Sequence, residues 1–143
     1  VINLVDRRCS INIELKGPAT AKPVSELLNK YCLAEWTPND FLLSSFDHKE
    51  LEMTDAAYPR GVLFAKLLPD MWDRAERIGA WSVNFDKGNI SRSLVEDGHS
   101  RGFKVLAYTV NSKADILEMI DYGVDGLFSD YPDRVIELRA GTG

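Results

Sequence analysis

An α/β fold built on parallel strands is predicted by three observations. Short apolar runs rich in β-branched and aromatic residues alternate with amphipathic runs of helical period, which implies parallel pairing. The clearest helical runs each end at a glycine, namely Gly79, Gly102 and Gly123, and each leads into another apolar run. Polar groups close most of the strands: Glu14 and Lys16, Ser45 and Asp47, Lys66, Asn84 and Asp86, Asn111, Asp130. A doubly wound sheet is complete at about this length but gathers its polar groups at one switch point. A ring of polar residues at the carboxyl ends of successive strands belongs to a (β/α)8 barrel, and this decides for the barrel. A full barrel has eight units, typically in ~250 residues; the six strands counted along these 143 residues, each followed by a helix, would make three-quarters of one.

The elements follow in order. The residues from Val1 read as the end of a helix. The first strand is SINIELK, Ser10 to Lys16, followed by a helix from Val24 to Ala34 that Pro18 and Pro23 keep from starting earlier. FLLSSF, Phe41 to Phe46, is a strand, and His48 to Ala57 the next helix. GVLFAK, Gly61 to Lys66, precedes the helical run MWDRAERI, which Gly79 ends before the strand AWSVNF. ISRSLVEDGHSR runs to Gly102 and into FKVLAYTV. Asn111-Ser112 supplies an N-cap for a helix starting near Lys113 and ending at Gly123, ahead of VDGLFS. Pro132 suits the first turn of a last helix, DRVIELRA. Glycine closes these helices because it alone takes the left-handed conformation without steric cost. No linker or low-complexity tract interrupts the pattern, so residues 1–143 read as a single domain.

Composition removes several function classes. Hydrophobic residues are 45% and charged residues 27% of the chain, a globular balance. Folding at this length buries roughly two-thirds of the unfolded surface, enough for a core. Lys and Arg number 17 against 22 Asp and Glu, for a net charge of −5. Nucleic-acid and anionic-membrane surfaces need a basic footprint, so neither partner is expected. No apolar run approaches the ~18 residues of a membrane span, and no leader resembles a signal peptide. Cys9 and Cys32 form no CxxC pair and read as isolated reduced thiols; with two histidines they make a poor zinc set. The cytoplasm is the expected location.

The chemistry centres on INIELKGP. Alternation puts Asn12, Glu14 and Lys16 on one face and Ile11, Ile13 and Leu15 on the other. A carboxylate at a barrel mouth can hold a hard divalent cation, and a lysine two residues on can meet a phosphate oxygen. The same spacing also suits an internal Glu-Lys pair that only fills polar space. No glycine-rich phosphate loop occurs. His48, beside the better cap Asp47, and His99, three residues before Gly102, read as surface residues. Phe46, Tyr108 and Tyr131 lie at or just past strand ends, whereas Trp36, Trp72 and Trp81 read as core.

INIELKGP, LLSSFDHKEL, VLAYTVNS and GVDGLFSDYPD, in this order and spacing, resemble the glycerophosphodiester phosphodiesterase family from about Ile11 to Val135. The resemblance implies a (β/α)8 TIM barrel, of which this chain carries about the last six β-α units. It implies a hydrolase of lipid and glycerol metabolism that cleaves glycerophosphodiesters to glycerol 3-phosphate and an alcohol. It also implies a divalent cation, Ca2+ or Mg2+. Glu14 then matches a metal-ligand glutamate, Lys16 a basic catalytic residue near the phosphate, and Phe46 and Tyr108 aromatic positions near the substrate. The family commonly has Trp where Tyr108 stands. The family's His-Arg-Gly, Glu-x-Asp and His-Asp motifs do not occur in this chain. The chain therefore reads as the carboxyl-terminal part of such an enzyme, supplying part of its active site. The alternative is a catalytically inactive partial barrel acting as an assembly or interaction module. Open sheet edges and an exposed apolar surface would then drive self-association into a homo-oligomer.

Overall fold

The computed structural model describes residues 1–141. Its elements are α1 (Ile2–Val5), β1 (Ile11–Glu14), α2 (Ala21–Cys32), β2 (Phe41–Ser45), α3 (His48–Glu52), β3 (Arg60–Phe64) and α4 (Met71–Ile78). They continue as β4 (Ser82–Asp86), α5 (Arg92–Ser100), β5 (Lys104–Tyr108), α6 (Lys113–Tyr122), β6 (Gly126–Leu127) and α7 (Pro132–Gly141). The chain divides into two compact units: Val1–Leu63 with Trp72–Trp81, and Phe64–Met71 with the chain from Ser82 onward.

In the first unit β1, β2 and β3 pair in parallel and in chain order, with Glu14 opposite Ser44 and Ser45 opposite Val62. β2 thus lies between β1 and β3. A flavodoxin-like doubly wound sheet places its first strand between the second and the third, so this order excludes that arrangement. Leu15, Leu28, Leu43, Leu51, Val62 and Ile78 form the buried aliphatic core. Trp36 stacks on Phe41 at 5.0 Å, and Tyr58 meets Phe41 edge-on at 6.2 Å. Burying each large side chain contributes about 1.5–3 kcal/mol before the cost of ordering it.

Two helices of this unit depart from the sequence pattern. α2 starts at Ala21 rather than Val24, so Pro23 lies inside its first turn. The amides there have no intrahelical acceptor, so a residue without an N–H is tolerated. α3 stops at Glu52, well short of Ala57. Arg60 ends it: its guanidinium donates to the carbonyls of Thr54 (2.6 Å) and Glu52 (3.4 Å), while Thr54 turns its hydroxyl back to Leu51 O. Trp81, expected in the core, is 46% exposed. Its amide already donates to the Arg60 carbonyl, and β4 begins only at Ser82, so the indole sits ahead of the packed part of that strand. Trp36 and Trp72 are buried as expected.

In the second unit β4, β5 and β6 are again parallel, with Asn84 opposite Leu106 and Leu106 opposite Gly126. Val83, Phe85, Val105 and Ala107 are fully enclosed. Ser91 and Ser112 cap α5 and α6, accepting from the amides of Leu94 and Asp115. Gly102 and Gly123 take φ of +85° and +83°, as Gly79 in the first unit takes +66°. Both cysteines are free thiols.

Asp125, just before β6, gathers the end of α5 and the start of β5. Its carboxylate accepts from the Val105 amide (2.8 Å), Lys104 Nζ (3.0 Å) and His99 Nε2 (2.7 Å). Desolvation opposes its ionisation, but the Val105 amide, His99 and Lys104 outweigh it and hold the carboxyl below its ordinary range. A lowered folded pKa stabilises above the unfolded value of about 3.9, and that contribution is lost as pH falls through the folded one. The urea midpoint of the wild-type chain should therefore drop more between about pH 5 and pH 3 than that of Asp125→Asn. Parallel losses in the two proteins would remove Asp125 from the acid response.

Candidate active site

β1 delivers the first group. Glu14 ends the strand, and Lys16 follows one buried residue later, Leu15. Their side chains form an ion pair at 3.5 Å, with Glu14 31% and Lys16 77% exposed. An exposed pair of this kind contributes little to stability, at most about 1 kcal/mol. What precedes Lys16 is well held: Ser45 Oγ donates to the Leu15 carbonyl at 2.7 Å, and the Leu15 amide donates to Ser44 O. Ser44 Oγ donates to Asn12 Oδ1 at 3.0 Å. At the end of β2, Phe46 is 47% exposed. Asp47 caps α3 by accepting from the amides of Lys49 and Glu50. His48 is half-buried, with Nε2 3.0 Å from the Leu63 carbonyl.

The second unit has its own strand-end groups. Tyr108 closes β5 and donates its hydroxyl to the Phe64 carbonyl at 2.7 Å, so the phenol is committed to the scaffold. Asn111 organises the loop after β6: its Nδ2 donates to Asp130, and its Oδ1 accepts from Ser129 Oγ and the Asp130 amide. Arg134 donates to Asn111 O and lies 3.8 Å above the Tyr131 ring. After β4, Lys87 pairs with Asp115. That contact, with a bond from Ser112, holds the Asp115 carboxyl below its ordinary range.

A model of the "Glycerophosphoryl diester phosphodiesterase family" matches residues 1–134. The chain belongs to that family. It is 31% identical over 147 residues to a glycerophosphodiester phosphodiesterase of Bacillus altitudinis, covering 97% of this chain and 60% of the relative. It is 32% identical over 137 residues to one from Caldanaerobacter subterraneus subsp. tengcongensis, covering 93% and 56%. Among solved structures it is similar to an Oleispira antarctica phosphodiesterase in complex with the product sn-glycerol-3-phosphate. That likeness has a TM-score of 0.82 and 24% identity, and covers 92% of this chain and 55% of that one. The chain thus spans little more than half the length of the relatives it matches. The fold is the one expected from the strand ends, a set of β-α units of the (β/α)8 class.

Within this phosphodiesterase family member, the structure brings Glu14 and Lys16 together and sets Phe46 and Tyr108 at the ends of β2 and β5. Among the described residues no group of three or more His, Cys, Asp or Glu side chains could hold a metal ion. A hard divalent cation takes six or more oxygen ligands, and Glu14 offers one carboxylate that faces an ammonium. These residues do not by themselves fit a resident cation.

Two features escaped the sequence reading. Asn84 is fully buried; its Oδ1 accepts from Ser82 Oγ at 2.9 Å, and its Nδ2 meets no hydrogen-bond acceptor. Glu50 is a carboxylate only 6% exposed. The local pattern Asp47-His48-Lys49-Glu50 is that of a capping box, in which Glu50 would fold back on its own helix. Instead it reaches the loop after β1, which only the packing of α3 on that loop could reveal.

Proposed function

We propose that this chain contributes part of the active site of a glycerophosphodiester hydrolase that releases glycerol 3-phosphate and an alcohol. The observation that carries the proposal is the Glu14–Lys16 pair at the carboxyl end of β1, with Lys16 exposed, in a chain of the phosphodiesterase family. The Oleispira relative holds glycerol 3-phosphate as its product, which supports the same substrate class here.

In this reading Lys16 Nζ donates to a phosphoryl oxygen and stabilises the charge that builds on it in the transition state. Glu14 holds that ammonium in place through the ion pair; it would be at most one ligand of a divalent cation, Ca2+ or Mg2+, whose remaining ligands these residues do not supply. No step is assigned to the ion, since Glu14 is the lone carboxylate this site brings to it. Phe46 offers ring surface to the glycerol or head group; in the second unit the Tyr108 hydroxyl is already bonded to Phe64 O. General acid–base work is not assigned to His48 or His99, which bond to the Leu63 carbonyl and to Asp125.

The test uses the 143-residue chain, with its folding confirmed by circular dichroism. Titration calorimetry with glycerol 3-phosphate is run beside release of glycerol 3-phosphate from glycerophosphocholine, with calcium or magnesium and with a chelator. Binding without turnover is the expected result. A folded chain that binds nothing and self-associates would instead be an interaction module. Chelator-sensitive turnover would show that the chain holds a complete site and overturn the partial one.

A further inference from the structure

We infer that Glu50 is a positioning residue for Lys16: it fixes the loop that carries the ammonium and so sets where Lys16 meets a phosphoryl oxygen. The inference rests on the role proposed for Lys16 above. Glu50 lies on α3, yet both of its oxygens face the β1–α2 loop. Oε2 accepts from the Ala19 amide at 3.1 Å, and Oε1 accepts from the Ala21 amide at 2.5 Å and stands 3.5 Å from Thr20 Oγ1. The Thr20 hydroxyl donates back to Gly17 O at 2.8 Å, so it does not cap α2. Glu50 takes that place from a different element, and it is free to do so because Asp47 caps α3.

The clamp acts where the backbone needs it. Ala19 is held at φ +58°, a left-handed conformation that residues with a Cβ disfavour and that persists only when surrounding contacts impose it. Its amide is one of the two that Glu50 binds. Three residues separate Lys16 from Thr20, the N-cap of α2, so a loop free at Ala19 would leave the Lys16 backbone tethered only on its β1 side. α3, which carries the clamp, begins two residues after Phe46. One buried carboxylate thereby ties the segment bearing Lys16 to the segment bearing Phe46. An amide at position 50 would present an NH2 group to one of two N–H donors, so the arrangement calls for a carboxylate.

The experiment compares the wild-type chain, Glu50→Gln, Lys16→Gln and the double variant. Glycerol 3-phosphate affinity is read by calorimetry, and amide hydrogen exchange at Ala19 and Ala21 by NMR. Glu50→Gln should weaken binding roughly tenfold, speed exchange at both amides, and have no further effect on affinity once Lys16 is gone. A residue that only stabilises the fold would lower affinity equally in both Lys16 backgrounds, and that additive result overturns the inference. Unchanged exchange at Ala19 and Ala21 overturns the clamp whatever the chain binds. Faster exchange in a chain whose wild type binds no glycerol 3-phosphate means that the proposed function fails, and the positioning role with it, while the clamp stands. Should Glu50→Gln not fold, Glu50→Asp keeps the charge and both acceptors but shortens the reach by one methylene. It is expected to show the same dependence on Lys16.

Discussion

Phe85→Ala is expected to lower the unfolding free energy by about 3–5 kcal/mol, the range for emptying a buried aromatic site. Phe85 has no solvent exposure, and its ring stacks on Phe64 at 5.4 Å with an interplanar angle of 17°. The residue opposite it on β5 is Ala107, fully buried and too small to fill the space left behind. Domains are stable by only about 5–15 kcal/mol in total, so this single change should leave a marginal or unfolded protein. Urea unfolding followed by circular dichroism measures it. A loss below about 1 kcal/mol would mean that the second unit collapses onto the vacancy, contrary to a core packed around this pair.

Lys16→Gln should do the opposite, changing binding and not stability. A hydrogen bond to a charged partner is worth about 1.5–3 kcal/mol, so removing the ammonium should weaken glycerol 3-phosphate binding roughly 10- to 100-fold. Lys16 is largely exposed and its pair with Glu14 is solvated, so the urea midpoint should hardly move. Calorimetry and unfolding on the same preparation separate the two effects. Unaltered affinity would remove Lys16 from the phosphate site, and a large fall in stability would make it a scaffold residue.

How much was legible depends on how far apart the interacting residues are. Gly79, Gly102 and Gly123 mark helix ends because a positive φ is a property of one residue, and all three take it. Ser112 marks a helix start because its hydroxyl reaches an amide three residues on. The face shared by Asn12, Glu14 and Lys16 follows from strand alternation, so the Glu14–Lys16 pair could be named before any coordinates. The family resemblance added roles for Phe46 and Tyr108 that spacing alone did not supply.

The start of α2 and the end of α3 differ from the sequence expectation, the first for a reason within the helix and the second for one beyond it. Pro23 reads as a barrier in the sequence, yet in the first turn its missing N–H costs nothing. α3 ends because Arg60, on the next strand, takes the carbonyls of Glu52 and Thr54. Trp81 carries the composition of a core residue but falls ahead of the strand that would have buried it.

The sequence by itself thus determined the β-α alternation, the helix terminators and caps, and the Glu14–Lys16 pair, since each arises from contacts within one turn or one strand. Only the tertiary structure decided the order and register in which β1 to β3 and β4 to β6 pair, and the enclosure of Asn84. It alone also gave Glu50 its place beneath the loop that follows Lys16. The physical reason is that a buried carboxylate requires hydrogen-bond donors, and chain proximity in space, rather than spacing along the sequence, determines which amides supply them.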